Sequence, residues 1–337
     1  MNVTASLSKQ ILSTAIHENA SDIHYSPTEK QTDIYFRVNG RRIFHSSVPT
    51  YTYNTLLSYY KFTSGMDIGE IRKPQNGTLS FQHLNQHFSL RLSTLPVNST
   101  ESLAIRLLPQ NEKSELNQLF LFPNQLQRLK QSISRRSGII LFTGPTGSGK
   151  TTTLYALLED LLKENAYQTI TLEDPIEKKL SDILQVQVNE KAGISYDVGL
   201  KAALRHDPDI LMVGEIRDKE TAHFAFRAAH TGHLVLSTLH AKNAYGTILR
   251  LLEMGVKKVD LEQNLLFVAA IELLPIYVKN MDKRAAILEI LEDELLISAI
   301  NGITPNGNSV GFQSFQTLRR KAYAFGFTNQ ASFDEAH

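Results

Sequence analysis

The first third of the chain changes between helical and strand-like spacing of its apolar residues. The apolar positions of Leu7–Ile16 recur at helical spacing, which predicts a first helix. Two short apolar runs, 34–38 and 42–44, flank Asn39-Gly40, a dipeptide typical of a tight β-hairpin. A second helix is predicted over Tyr53–Met66. This part of the sequence therefore predicts a small α/β module.

Three further strands are indicated between residues 78 and 108, where apolar and polar residues alternate. Side chains alternate between the two faces of a strand, so Arg91 and Arg106 are predicted to lie on the face opposite the apolar residues. An arginine in this position can bind an anionic ligand. It can also form an ion pair on a solvated sheet face, and both alternatives stay open.

A polar stretch, residues 109–118, separates this module from a second pattern and is predicted to be an interdomain linker. Beyond it, short apolar strands alternate with helical patterns. This order is typical of a mostly parallel sheet that helices cover on both faces. The predicted strands are 138–142, 168–172, 183–188, 210–213 and 234–236.

The chain after residue 241 is predicted to be mainly helical. Together these patterns predict an α/β protein, and its length of 337 residues exceeds what a single core usually supports. Two domains are therefore expected. The predicted boundaries are 1–108 for the first domain, 109–118 for the linker, 119–240 for the α/β core of the second domain and 241–337 for its mainly helical part.

Residues 144–151, Gly-Pro-Thr-Gly-Ser-Gly-Lys-Thr, lie between an apolar strand and a helical stretch, which is the context of a P-loop. The glycines let backbone N–H groups turn toward a triphosphate, and the following helix adds its positive dipole end. Lys150 is predicted to contact the β- and γ-phosphates, and Thr151 to bind Mg²⁺. The predicted nucleotide-binding residues are Gly144, Pro145, Thr146, Gly147, Ser148, Gly149, Lys150, Thr151 and Thr152.

Two other predicted strands end in acids. Glu215 follows the apolar run 210–213, and parallel strands of P-loop folds deliver such a carboxylate to the edge that binds the phosphates. Glu215 is therefore a candidate for binding Mg²⁺ or for orienting the attacking water. Glu173 begins a run with three acids, 173–177, whose crowded charges need water or a cation to offset them. A solvated acid without a catalytic role is the alternative in both cases.

Two histidines, His233 and His240, bracket the predicted strand 234–236. A histidine near a γ-phosphate can donate a hydrogen bond to it, and both residues are candidates for that role. Ordinary packing is the alternative for each of them.

Charge and composition exclude several classes of protein. The 35 Lys and Arg residues balance 34 Asp and Glu residues, so the net charge is +1 and direct binding of nucleic acid is not expected. The absence of cysteine excludes disulfides, thiolate metal sites and cysteine nucleophiles. The longest apolar stretch, 265–278, is interrupted by Glu272 and Pro275, and the N-terminus shows no signal-like segment. A soluble protein with at most peripheral membrane contact is expected.

The order and spacing of these segments resemble those of the secretion and type IV pilus ATPases, the traffic ATPase superfamily that includes the type II secretion ATPases. The resemblance covers about residues 11–300. The matching segments are Ala20–His24, Met66–Glu70, Pro74–Gly77, Arg91–Pro96, Thr171–Glu177, Gln185–Gly193, Gly214–Asp218 and Gly232–His240.

The resemblance implies a PAS-like N-terminal domain, a flexible linker and a RecA-like P-loop domain, assembled as a homo-hexamer. It implies ATP and Mg²⁺ as cofactors, with ATP bound between the domains and with Lys150 and Thr151 on phosphate and metal. It also implies acids around water and metal, histidines near the γ-phosphate, and N-terminal-domain arginines that reach the nucleotide. The matching residues are Glu173 and Glu215, His233 and His240, and Arg91 and Arg106.

Two differences between this sequence and many members of the superfamily indicate which subfamily it resembles most. Many assembly-type relatives carry a tetracysteine zinc module, whereas this chain has no cysteine, so no zinc is expected. The longer N-terminal docking domain of many type II secretion members is also not expected. Short, zinc-free chains of this kind look most like the competence ATPases that build the DNA-uptake pseudopilus of Gram-positive bacteria.

This resemblance implies an ATP-hydrolysing motor on the cytoplasmic side of the cell membrane that acts on a polytopic membrane platform protein. A pilus retraction motor is one alternative, and a nucleotide-dependent regulator or scaffold is another. A helicase is disfavoured by the balanced charge and by the N-terminal matches.

Overall fold

The chain divides into two compact units, unit 1 (Met1–Glu112) and unit 2 (Lys113–His337). No helix among the described residues is long and apolar enough to cross a lipid bilayer. The computed structural model describes residues 3–38, 40–97, 100–110, 115–164, 166–189, 192–278, 281–307 and 309–329.

Unit 1 is an antiparallel sheet with helices packed on one face. Its six strands have the order β3-β2-β1-β6-β5-β4, and apolar side chains of both helices pack against one face of this sheet. The described elements are α1 (Val3–His17), β1 (Asp22–Pro27), β2 (Gln31–Val38), β3 (Arg41–Pro49), α2 (Thr50–Thr63), β4 (Gln75–His83), β5 (Gln86–Val97) and β6 (Thr100–Pro109).

Side-chain alternation determines which face of this sheet is core. Leu90 and Leu92 of β5 are buried in the core, so Arg91 between them lies on the other face. The predicted hairpin is confirmed, because β2 pairs antiparallel with β3 across residues 39–40. Gly40 has a φ of 80°, which a residue without Cβ adopts at little cost, whereas Asn39 lies outside the described residues.

Unit 2 is built on a seven-stranded sheet with the order β13-β12-β7-β11-β10-β8-β9. Neighbouring strands are parallel except for the antiparallel pair β12 and β13. The described elements are α3 (Leu116–Leu119), α4 (Pro123–Ile133), β7 (Gly138–Thr143), α5 (Lys150–Glu164), β8 (Thr169–Glu173), β9 (Leu184–Gln187), α6 (Tyr196–Ala203), β10 (Ile210–Val213), α7 (Lys219–His230), β11 (Leu234–Leu239), α8 (Ala244–Glu253), α9 (Lys258–Asn264), β12 (Leu265–Val278), β13 (Met281–Glu292), α10 (Asp293–Ile300) and α11 (Phe315–Ala324).

Both faces of the unit 2 sheet are covered by apolar side chains. Ile139 and Leu141 of β7 belong to one apolar cluster, and Ile140 and Phe142 belong to the cluster on the other side. A strand buried on both faces needs apolar residues at every position, which explains the continuous apolar runs of the sequence. The predicted α/β architecture with a mostly parallel sheet is confirmed.

The prediction of a mainly helical chain after residue 241 is wrong for Leu265–Glu292. These residues form β12, of 14 residues, and β13, of 12 residues, while helices α8 to α11 lie on either side of them in sequence. β12 pairs with both β7 and β13 and therefore extends the sheet. Its apolar run shows no strand alternation because much of it is buried on both faces.

The outer edge of β13 is covered by the segment 120–125. The Leu121 amide donates to the carbonyl of Ala286 at 2.9 Å. The buried side chain of Gln125 donates to the Leu288 carbonyl at 2.7 Å and accepts from the Leu288 amide at 3.0 Å. An edge strand exposes unpaired backbone groups unless another segment covers them. Here the side-chain amide of Gln125 forms the hydrogen bonds that a neighbouring strand would otherwise form with Leu288.

The predicted linker 109–118 overlaps a regular element at each end. Pro109 is the last residue of β6, and α3 begins at Leu116. Residues 111–114 lie outside the described residues.

Candidate active site

The loop between β7 and α5 needs glycine at three positions. Gly144, Gly147 and Gly149 have φ values of 144°, 82° and 94°, which side-chain-bearing residues rarely adopt. A Cβ on Gly144 would also lie 2.6 Å from the Ser148 Oγ and 2.7 Å from the Ile271 carbonyl oxygen. The glycines therefore permit the tight turn that brings consecutive backbone N–H groups to one side.

The remaining residues of the loop fit a bound anion. The exposed Pro145 and Thr146 form its tip, and the Ser148 amide donates to the Pro145 carbonyl at 3.2 Å. The buried Ser148 Oγ has no hydrogen-bond partner among the described residues. A buried hydroxyl without a partner is costly, so this atom is suited to a ligand oxygen.

Lys150, the first residue of α5, is turned back onto the loop. Its Nζ donates to the carbonyl oxygens of Gly144 at 2.8 Å and Pro145 at 2.9 Å. Burial lowers the pKa of Lys150, while Glu215 and Glu177 act in the opposite direction. The amine thus lies within electrostatic reach of acids that follow β10 and β8. Thr151 is half-buried in the first turn of α5, and Thr152 is exposed.

Glu173, the last residue of β8, is buried and accepts three side-chain hydrogen bonds. Its carboxylate accepts from the Tyr155 hydroxyl, from Thr171 Oγ1 at 2.6 Å and from Gln185 Nε2 at 3.2 Å. Burial, followed by the adjacent Glu173 charge, raises the pKa of Tyr155. The hydroxyl is therefore protonated and donates to the carboxylate. Sequence reasoning did not single out Tyr155.

Glu215 follows β10 and contacts two side chains of the same edge. Arg217 Nε donates to Glu215 Oε2 at 2.6 Å, and His240 Nε2 lies 2.9 Å from Glu215 Oε1. Arg217 also contacts Asp174 at 3.3 Å, so it bridges the segments after β8 and β10. Its hydrogen bond to Glu215 is the main cause that raises the pKa of Arg217. Arg217 was not predicted as a site residue, although it lies in the matching segment 214–218.

The structure separates the two candidate histidines. His240 follows the carboxyl end of β11, whose last residue Leu239 pairs with Thr143 directly before the P-loop. His233 precedes β11, and its carbonyl accepts from the Gly138 amide at the opposite end of β7. The intervening strand is roughly 16 Å long at about 3.3 Å per residue. The prediction that His233 lies near the γ-phosphate is therefore wrong for this P-loop.

His233 instead has a local packing role. Its Nδ1 lies 3.0 Å from the carbonyl oxygen of Ala228 and 3.1 Å from Thr231 Oγ1. These contacts join the end of α7 to the start of β11. The structure thus brings Lys150, Glu173, Glu215 and His240 to one edge of the sheet and leaves His233 at the other.

Arg91 and Arg106 belong to unit 1, where they are direct cross-strand neighbours. The same register continues through Asp22 and Arg37 to Arg42, so four arginines and one aspartate form a row across five strands. Arg106 Nε donates to Asp22 Oδ1 at 2.8 Å. Burial raises the pKa of Asp22, but hydrogen bonds from Arg106 and Ser21 outweigh this and lower it overall. Arg106 therefore forms an ion pair on the sheet face, which is one of the two roles considered for it from the sequence.

The donor set of unit 2 fits a triphosphate and Mg²⁺. The glycine loop, the Ser148 hydroxyl and the Lys150 amine all suit phosphate oxygens. No group of three or more acidic or histidine side chains within the described ranges is placed to hold a metal ion. Mg²⁺ at nucleotide sites uses one or two protein ligands and completes its shell with phosphate oxygens and water, so a Mg²⁺ site does not require such a group.

Comparison with known proteins supports the same chemistry. The profile of the family described as "Type II/IV secretion system protein" matches residues 2–319. The chain belongs to this family. It is 41% identical to the competence protein ComGA of Bacillus subtilis (strain 168), over 99% of this chain and 98% of that protein.

Two further relatives carry ATPase or nucleotide in their descriptions. The chain is 42% identical to the type II secretion system ATPase E of Vibrio cholerae, over 77% of this chain and 52% of that protein. The crystal structure of the pilus retraction motor PilT with bound ADP superimposes with a TM-score of 0.77 at 27% identity, covering 100% of this chain and 97% of that one. The protein is therefore an ATPase with the two-domain traffic ATPase fold.

Proposed function

We propose that this ATPase is the motor that drives assembly of a competence-type, pilus-like filament for DNA uptake. The observation that carries the proposal is the 41% identity to the competence protein ComGA over 99% of the chain. The placement of Lys150, Glu173, Glu215 and His240 at one sheet edge supports ATP hydrolysis as the source of its work.

The proposed motor is a homo-hexamer on the cytoplasmic face of the cell membrane, where it acts on a polytopic platform protein of the pilus apparatus. Membership of the secretion family supports both assignments. The balanced net charge of +1 fits a protein whose partner is another protein rather than nucleic acid.

We assign the roles in hydrolysis as follows. Backbone N–H groups of the P-loop and Lys150 bind the phosphates and neutralise the charge that develops on them. Thr151 and Glu215 would hold Mg²⁺, which when bound supplies further positive charge at the phosphates. Glu173 orients the attacking water, and His240 donates a hydrogen bond on the γ-phosphate side. Positioning and charge neutralisation suffice for this reaction, so no covalent intermediate is required.

Arg91 and Arg106 are proposed as additional phosphate-binding residues. The strand register supports this proposal, because it places the two residues side by side on the polar face of the unit 1 sheet. A guanidinium on that face can present several N–H donors to an anion. Replacing each with alanine and measuring ATP turnover tests this role. Unchanged turnover would remove that residue from the site.

Two substitutions in unit 2 test the ATPase assignment. Lys150→Ala should abolish turnover, because it removes the amine that neutralises the phosphates. Glu215→Gln should retain nucleotide binding but lose about 100-fold or more in turnover, because an amide cannot replace the carboxylate charge. Steady-state phosphate release and direct nucleotide binding measure both effects. Wild-type turnover in either folded variant would contradict the assignments.

Assembly and retraction are separated by the phenotype of a deletion strain. Loss of the filament supports an assembly motor, whereas accumulation of filaments would support a retraction motor, which the similarity to PilT keeps as the second candidate. The Glu215→Gln variant, expressed in the deletion strain, distinguishes a motor from a scaffold. Restored DNA uptake with this variant would indicate a scaffold that does not need hydrolysis.

A further inference from the structure

The hydroxyl of Tyr155 connects three segments of the candidate active site. Tyr155 lies on α5, the helix that begins with Lys150, and is buried. Its hydroxyl donates to the carboxylate of Glu173 at the end of β8. The same oxygen accepts from the backbone amides of Glu177 at 3.2 Å and Lys178 at 3.3 Å. The one donor and both acceptor positions of the hydroxyl are thus used.

These contacts restrict the carboxylate of Glu173. A carboxylate offers about four lone-pair positions. Tyr155 occupies one on Oε2, and Thr171 and Gln185 occupy two on Oε1. About one position remains for a further donor, and its direction is set by the three donors already in place.

The acids after β8 are held by the same hydroxyl. Its two backbone contacts fix residues 177–178 against α5, and the ion pair of Lys178 with Glu159 at 2.7 Å adds a second link to that helix. The helix that carries Lys150 and the segment that carries Glu173 and Glu177 therefore form one hydrogen-bonded body.

We propose that Tyr155 is a positioning residue for hydrolysis, which fixes the Glu173 carboxylate and segment 174–178 relative to the helix that carries Lys150. The inference rests on the proposed role of Glu173 in orienting the attacking water. Tyr155 acts through Glu173, so its loss changes the chemical step and leaves the affinity for nucleotide intact.

The substitution Tyr155→Phe removes the hydroxyl and keeps the ring. Its kcat should fall about 10- to 100-fold because the carboxylate loses its fixed direction, while KM and the affinity for a non-hydrolysable ATP analogue should stay within about twofold of wild type. The matched control is Tyr245→Phe, the same chemical change at a half-buried tyrosine of α8 in the same unit. The control should keep wild-type kcat. A folded Tyr155→Phe variant with wild-type kcat, or with weakened nucleotide affinity and unchanged kcat, overturns the proposal.

The double variant Tyr155→Phe with Glu173→Gln tests whether the hydroxyl acts through Glu173. The double variant should turn over at the rate of Glu173→Gln alone, since the two residues act as a unit. Independent losses that multiply would overturn the proposal. Wild-type turnover in Glu173→Gln would overturn both this inference and the role of Glu173, whereas the outcome of Lys150→Ala decides the ATPase assignment separately.

A second variant covers the case in which Tyr155→Phe does not fold. Thr171→Val removes the donor to Oε1 of the same carboxylate and keeps the side-chain volume. It should show the same selective loss of kcat. Wild-type kcat in this variant would show that the direction of the carboxylate does not control hydrolysis, and the proposal would fail.

Discussion

The side chain of Glu215 is contacted at both carboxylate oxygens, by Arg217 on one and His240 on the other. The exposed side chain of His240 lies beside the P-loop edge and holds the acid from the solvent side, while Arg217 ties the same acid to Asp174. The position of Glu215 therefore depends on two neighbouring side chains, one at each carboxylate oxygen.

The two histidines should differ in their effect on hydrolysis. His240→Ala removes a hydrogen bond to a charged group, worth about 1.5–3 kcal/mol, so turnover should fall about 10- to 100-fold. His233→Ala should leave turnover within about twofold, because His233 lies at the opposite end of β11. Steady-state ATPase rates of both variants, with melting curves to confirm folding, provide the comparison. A larger loss in His233→Ala would contradict the placement.

Strand order and direction were sufficient to predict part of this site. The P-loop, Glu173, Glu215 and His240 each follow a strand, and parallel strands bring their carboxyl ends to one edge. His233 precedes its strand, so strand direction alone places it elsewhere, and the motif-based expectation was wrong on this point. Tyr155 was not predictable, because its contact with Glu173 depends on how α5 is rotated against β8, which residue spacing does not determine.

At the scale of elements, the least predictable part was the hairpin of β12 and β13. The first seven residues of β12 are all apolar, because much of β12 is covered on both faces and pairs on both sides. Such a run cannot be told from a buried helix by periodicity alone. Strands β2 to β6 of unit 1 were predictable because one face of that sheet is polar and their sequences alternate, whereas β1 was not predicted.

The cover of the β13 edge makes a testable contribution to stability. Gln125→Ala leaves the buried amide and carbonyl of Leu288 without their side-chain partner, at a cost of about 1–3 kcal/mol for each group. The matched control Gln131→Ala changes an exposed glutamine of the same helix and should stay within about 0.5 kcal/mol. Urea unfolding monitored by circular dichroism measures the difference in midpoint. Equal midpoints for the two variants would argue against an edge-covering role of Gln125.

At the scale of the whole molecule, each unit has its own apolar core. The cluster of unit 1 contains residues of that unit alone, and the clusters of unit 2 contain residues after 113. Length predicted more than one domain, and the change from an alternating antiparallel pattern to strands separated by helices indicated where the second begins. The C-terminal end of the linker was less predictable, because α3 has only four residues and two of them, Asn117 and Gln118, are polar.

The proposed hexamer leads to a prediction about concentration. In the presence of ATP and Mg²⁺ the purified protein should have six times the mass of the 37.9 kDa chain, and turnover per chain should rise with protein concentration as rings assemble. Light scattering and ATPase rates measured on the same dilution series test both statements. A constant turnover per chain together with a monomeric mass would contradict the hexamer.

The chain enters unit 2 along the outer border of its sheet. After α3, residues 121 and 125 bond to β13, and β13 is followed across the sheet by β12 and then by β7, which leads into the P-loop. Backbone pairing across β13, β12 and β7 therefore connects the start of unit 2 to the strand directly before the P-loop.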